Sequence, residues 1–175
     1  GHVEIAKLML QNGADVNKVG KRSRHKYKWM ALHFAAEKGH VDVVKVLIRN
    51  GADVNAVTQK LTNGFGENDY TALDLAAKCG YVDIAKVLIQ NGADVNAVNK
   101  YKHTALRIAA GNDRITCMFQ LVCFGAEIDK ETLKEDKTSL LRPLESRLKL
   151  LRDGNRITLG TSLMSEEEKH FMWNL

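Results

Sequence analysis

The sequence predicts an all-α repeat solenoid of helix–turn–helix units, and two observations carry that expectation. Three segments align without a gap: GHVEIAKLMLQNGADVN at 1–17, GHVDVVKVLIRNGADVN at 39–55 and GYVDIAKVLIQNGADVN at 80–96, with a worn fourth copy, DRITCMFQLVCFGAEID, at 113–129. Each of the last three also has an upstream partner at constant spacing: MALHFAAEKG at 30–39, TALDLAAKCG at 71–80 and TALRIAAGND at 104–113. Self-similarity at a fixed period marks stacked repeats.

Within one unit, MALHFAAEKG reads as a short Ala-rich helix ended by Gly39. The following VDVVKVLIRN reads as a second helix, with Val43, Val44, Leu47 and Ile48 on one stripe. Gly51 supplies the left-handed residue that stops it. Ala35 and Ala36 are small enough to let the two helices approach closely. Neither helix can bury its apolar face alone, so neighbouring units must stack.

These residues resemble the ankyrin repeat, whose cues are a period of 33 and a T-P-L-H-x-A pattern in the short helix, although no copy keeps that pattern in full. The Gly-Ala pairs at Gly13, Gly51, Gly92 and Gly125 are separated by 38, 41 and 33 residues. The first two steps thus carry insertions of 5 and 8 between GADVN and the next short helix. The resemblance places β-turn fingers there and implies that two of them are lengthened. Departures from the family pattern are local. Met30 replaces Thr in the copy that keeps His33, while Thr71 and Thr104 are followed by Asp74 and Arg107 in the His place. Ala31, Ala72 and Ala105 replace the Pro, and Lys28, Asp69 and Lys102 stand where the family has its turn glycine, which argues against the standard tip in these fingers.

The expected domain organisation is an ankyrin array over 1–129, its first repeat incomplete, followed by a helical capping region over 130–175 that continues beyond the fragment. Val3, Ile5, Leu8 and Met9 are patterned like an internal helix, which suggests a missing preceding helix. In TSLLRPLESRLKLLRDG, Leu141, Leu144, Leu148 and Leu151 recur at helical spacing and are expected to form a C-terminal lid of non-repeat helices. In SEEEKHFMWNL, Ser165 and Glu168 form a capping box ahead of an apolar face.

Bulk composition excludes several classes. Hydrophobic residues at 45% and charged residues at 27% suit a soluble globular protein. No apolar run is long enough for a membrane span. The sequence carries no nucleophile elbow, Walker loop or zinc-protease motif, and NGFGEN at 63–68 is turn chemistry. We expect no enzyme activity, no cofactor and no metal. Cys79, Cys117 and Cys123 read as buried thiols of a reducing compartment. His2 and His40 are expected to pin the turn between helices through a hydrogen bond, with His33 in a similar structural role. The recurring Asp15-Val16-Asn17, Asp53-Val54-Asn55 and Asp94-Val95-Asn96 predict hydrogen bonding within each finger; in the ankyrin family this Asn can be hydroxylated, and Asn55 and Asn96 match that context.

The net charge of +5 is local: residues 18–28 alone carry six positive charges, leaving −1 for everything else. The family resemblance implies a scaffold that binds another protein through finger tips and the exposed ends of the short helices. Carried over by position, the contact residues are Lys26, Tyr27, Trp29, Glu37 and Lys38; then Glu67, Asn68, Tyr70 and Lys78; then Lys100, Tyr101, His103 and Asn112. Lys21, Arg22 and Arg24 add a basic patch. Tyr and Trp beside Lys or Arg are the types that dominate binding energy. The expected partner is a protein with an acidic surface, bound by a monomer in the cytoplasm, or in the nucleus if KRSRHK is an address, or in host cytosol if the protein is a secreted bacterial effector. The alternatives are nucleic-acid or anionic-lipid binding through the basic finger, or service as the targeting arm of a larger enzyme. Salt dependence separates phosphate binding from aromatic contacts.

Overall fold

A computed structural model describes residues 3–21, 27–60, 69–136 and 141. Two compact units divide the chain, 1–139 and 140–175; the second contains, among described residues, only Leu141. The lid segment, the closing SEEEKHFMWNL and NGFGEN therefore lie outside the described residues.

Unit one opens with α1 (Val3–Gln11), then β1 (Gly20–Lys21) and β2 (Tyr27–Trp29). The helix pairs follow as α2 (Ala31–Lys38) with α3 (Val41–Arg49), α4 (Ala72–Cys79) with α5 (Val82–Gln90), and α6 (Ala105–Gly111) with α7 (Ile115–Cys123). Between the first and second pairs runs β3 (Gln59–Lys60), and α8 (Lys130–Glu135) follows the last. Short helices stack as α2, α4, α6 and then α8; long helices stack as α1, α3, α5 and α7. This is the helical repeat solenoid that the sequence pattern predicts.

The core lies between the two layers. Ala35, Ala36, Ala76, Ala77, Ala109 and Ala110 are buried, and their small size brings the layers together. Leu32, Leu73 and Leu106 of the short helices are buried with them, as are Val44, Ile84, Leu88, Met118 and Leu121 of the long ones. In α1, by contrast, the apolar residues Ile5, Leu8 and Met9 are exposed.

Each turn within a pair is closed by a left-handed residue. Gly39 has φ 78° and Gly80 φ 81°, and the backbone N–H groups of Gly39 and His40 reach back to the carbonyls of Ala36 and Ala35. The third pair does the same with Asp113 at φ 57°. Among the described residues His40 makes no side-chain hydrogen bond, so its expected pinning role falls to the backbone. Tyr81 and Arg114, which follow the next two turns, instead reach to the preceding unit. A Cβ on Gly39 would come 2.9 Å from Tyr81 Cζ, and one on Gly80 would come 3.0 Å from Arg114 Cδ. Arg114 Nε also donates to the Lys78 carbonyl at 3.0 Å.

The Asp-Val-Asn clusters act across units as well as within them. Asp53 Oδ1 accepts from the Asn55 N–H at 3.0 Å, which is the expected local bond. The Asn side chain, however, bridges to the next unit: Asn55 Nδ2 donates to the Gly92 carbonyl at 3.0 Å and its Oδ1 accepts from the Asp94 N–H at 2.9 Å. Asn17 and Asn96 repeat this with Gly51 and Asp53, and with Gly125 and Glu127. The ladder ends at Asp129, which stands in the Asn place and accepts from the Thr132 N–H at 2.6 Å, capping α8. That helix, which the sequence pattern did not single out within 130–175, packs on α6 where a further short helix would stack.

Of the three thiols only Cys117 is buried; Cys79 is half-buried and Cys123 exposed, which corrects the expectation for those two. Burial pushes the Cys117 thiol up to about 11, so it is not a nucleophile at neutral pH.

Candidate binding surface of fingers and short helices

The fingers carry the only β structure among the described residues. β1 and β2 form a hairpin, with Gly20 opposite Trp29 and Lys21 opposite Lys28. β2 then pairs with β3 of the following finger, Tyr27 opposite Lys60 and Lys28 opposite Gln59. The basic finger is thus tethered to its neighbour through the backbone. Lys21 and Tyr27 are placed by this register, while Arg22, Arg24, Lys26, Glu67 and Asn68 lie outside the described residues.

Trp29 corrects an expectation. Only 6% of it is exposed, and its ring packs on Phe34 at a centroid distance of 4.9 Å and on His33 at 6.0 Å. It anchors the finger to α2 and does not offer its face to a partner. His33 is buried beside it. Its Nδ1 accepts from the Met30 N–H at 3.1 Å, so Nε2 carries the proton and donates to the Ala56 carbonyl at 2.9 Å. Burial lowers its pKa, against the raising effects of that hydrogen bond and of Asp53.

The same position in the next unit is Asp74, also buried. Its Oδ2 accepts from the Thr71 N–H at 2.9 Å, and its own N–H donates to Thr71 Oγ1 at 3.1 Å, a reciprocal cap on α4. Burial raises its pKa to about 6, outweighing both bonds to Thr71. In the last unit Arg107 occupies the place and meets Glu135 of α8 at 3.5 Å.

The finger before α4 ends on Tyr70, which is half-buried. Thr58 donates its N–H to the Tyr70 carbonyl at 2.8 Å and accepts the Tyr70 N–H on Oγ1 at 2.9 Å. Lys78 from the end of α4 sets its ammonium 5.2 Å from the Tyr70 ring centroid. At the end of α2, Lys38 pairs with Glu37 at 3.4 Å.

The finger before α6 is the best-defined tip. Asn99 is buried and its Oδ1 accepts from the N–H groups of Tyr101 at 2.9 Å and His103 at 3.0 Å. The Lys102 N–H donates to the Asn99 carbonyl at 2.8 Å, and the Asn99 N–H to the His103 carbonyl at 3.1 Å. Lys102 takes φ 59°, so a lysine adopts the left-handed turn conformation in the glycine place. The expectation of a non-standard tip is corrected in this finger. Held this way, Tyr101 is 46% exposed with Lys100 Nζ 5.2 Å from its centroid. The His103 ring lies 6.2 Å from that of Tyr101. Burial first and Arg107 second lower the His103 pKa, with Glu135 opposing, so the tip's charge at neutral pH comes from Lys100 and Lys102. Asn112, exposed, donates to the Ile108 carbonyl at 2.8 Å and closes its own helix.

Sequence reasoning missed an apolar series on the fingers. Val19, Val57 and Val98 are 44%, 42% and 62% exposed, each two residues past the ladder Asn. The signal was present as a recurring Asn-x-Val.

A stack of helix pairs joined by left-handed turns, with fingers between units, defines a repeat scaffold that leaves finger tips and short-helix ends exposed. Family models for ankyrin repeats match residues 1–58 (three copies), and 32–89 and 73–124 (many copies). The chain belongs to the ankyrin repeat family. Among curated proteins, none matches it. Ankyrin repeats are in general modules for protein–protein interaction, typically without enzymatic activity. No described helix is long and apolar enough to cross a membrane.

Proposed function

We propose that this array grips an acidic segment of a partner protein through the tips and short-helix ends of its last two complete units. Tyr101 carries the reading. It is a large side chain left exposed on a tip that four backbone hydrogen bonds hold in place. Two lysines flank it in sequence, and a fixed aromatic buries large area on binding at little entropic loss. Tyr70 under Lys78 supplies a second aromatic–cation couple one unit away. Glu37, Lys38 and Asn112 form the margin of the surface, where charges tune rate and specificity more than affinity.

The test is selection of a random linear peptide library on the immobilised protein, followed by titration of the recovered peptides. Recovered sequences should be rich in Asp and Glu. Tyr101→Ala should weaken them about tenfold or more, with added salt weakening but not abolishing the complex. If instead Tyr101→Ala binds as the parent does, or only polynucleotides and anionic vesicles bind, with salt erasing the affinity, the reading is wrong.

A further inference from the structure

We infer that Val57 and Val98, exposed at equal places on successive fingers, select an acidic partner segment in the polyproline II conformation with an aliphatic side chain at every third place. This rests on the reading of the array as a binder of acidic protein segments, and adds the conformation and spacing that it selects. Val57 is bridged to Thr71 at the start of α4, and Val98 precedes Asn99, whose N–H donates to the His103 carbonyl just before α6. In both fingers the next residue is buried, Thr58 in one and Asn99 in the other. Thr58 Oγ1 accepts from the Tyr70 N–H, and Asn99 Oδ1 accepts from the N–H groups of Tyr101 and His103. Successive side chains of an extended backbone point to opposite faces, which leaves each valine outward. Val57 stays 42% exposed although its finger is paired to the one before and tied through Asn55 to the loop after.

Spacing chooses the conformation of the ligand. Asn55 and Asn96, two residues before the valines, each bond to the loop of the following unit, which locks these loops in one register. Stacked helices lie about 8–10 Å apart, so the two valines repeat at about that distance. A β-strand brings one face back about every 6.6 Å or about every 13 Å, and misses it. A polyproline II helix rises about 3.1 Å per residue with about three residues per turn, so one face returns about every 9 Å. An α-helix returns a face at about 10.5 Å, but only at its seventh residue. The aromatic rings favour the first of these two, because polyproline II segments dock on aromatic-lined surfaces, and Tyr70 and Tyr101 supply one ring per unit. Charge sets the second residue type. Lys78 beside Tyr70 and Lys100 beside Tyr101 put one ammonium in each unit, so an acid recurs with the same period as the aliphatic side chain. The segment thus repeats a triplet of one aliphatic residue, one acid and one proline, which holds the conformation.

The experiment uses the whole chain with isotope-labelled valine methyl groups, and three acetylated, amidated peptides of equal charge as probes. The first repeats the triplet Val-Pro-Glu. The second has the same composition, with its valines alternately two and four places apart. The third is a helix-forming peptide of Ala and Glu with valine at every seventh place. The first probe should shift the methyl resonances of Val57 and Val98 and bind about tenfold or more tightly than either of the others. The Val57→Ser/Val98→Ser double variant should lose that advantage, binding the first probe about tenfold more weakly than the parent does, while its melting temperature stays near the parent's because both sites are on the surface. Equal binding of the first and second probes by the parent overturns the inference. So does preference for the helical probe, or absence of methyl shifts at Val57 and Val98. Shifts of these methyl groups that grow with protein concentration before any probe is added would assign the valines to a second copy of the chain and also overturn it. If acidic library peptides depend on Tyr101 yet bind alike whatever their valine spacing, recognition of acidic segments stands and only the spacing rule falls; if no acidic peptide binds, both fall.

Discussion

Replacing Asp74 by Asn should flatten the pH dependence of stability. The carboxyl sits in the core under Thr71, with an ordinary pKa of 3.8 raised to about 6 by burial. In the folded protein it holds its proton to higher pH than in the unfolded chain. Stability from this group is therefore intact below about pH 4, falls as pH rises through the window between 3.8 and about 6, and is fully lost above it. A rise from 3.8 to about 6 corresponds to about 3 kcal/mol at neutral pH. Asn keeps an oxygen to accept the Thr71 N–H but has no proton to lose. Asp74→Asn should thus be more stable than the parent at pH 7.5 by about 1–3 kcal/mol, and near parity at pH 4. Urea unfolding at closely spaced pH values, taken as the difference between variant and parent, isolates the effect from other groups. His33 makes this subtraction necessary. Its lowered pKa acts in the opposite sense, with stability present above 6.5 and lost as pH falls below it. A variant-minus-parent difference that does not change between pH 4 and 7.5 would refute the account of Asp74.

Three further outcomes follow from the packing. Trp29→Ala should cost about 3–5 kcal/mol of stability because it empties a core position, whereas Tyr101→Ala should change stability by less than about 0.5 kcal/mol; thermal or urea melts of the two check the assignment of one ring to the core and the other to the surface. Gly39→Ala should cost about 1–2 kcal/mol from its left-handed φ of 78°, plus whatever it takes to displace the Tyr81 ring whose Cζ would lie 2.9 Å from the new Cβ. In a double-mutant cycle Tyr81→Ala should recover part of it. Asn55→Ala removes both bridges to the next unit and should cost about 1–3 kcal/mol, with hydrogen exchange speeding at the Asp94 amide before the helices open.

The units themselves were legible in the sequence because each rests on period and on residue type. The Ala pairs, the apolar stripe and the Gly stops each report a local requirement, and every copy repeats them. What escaped is the set of features that need the separation between units. Asn55 reads as a member of its own finger, and only the stacked neighbour reveals that its amide spans to Gly92 and Asp94. Pairing of β2 with β3 involves two residues on each strand, too few to leave an alternating pattern. Helix α8 has no apolar stripe in KETLKE; it forms where Asp129 caps it and α6 offers a surface.

The contact surface was half legible for a related reason. Trp29 and Tyr101 both sit in lysine-rich fingers, and composition treats them alike. Their fates differ through position relative to the following helix. Trp29 lies two residues before α2, at the end of a strand, and its ring reaches Phe34 one turn into that helix. Tyr101 lies four residues before α6, at the crest of a turn whose backbone amides are already bonded to Asn99, so its side chain has no neighbouring helix to fold onto. Lys100 and Lys102 ride on the same closed tip, which puts positive charge beside the exposed ring.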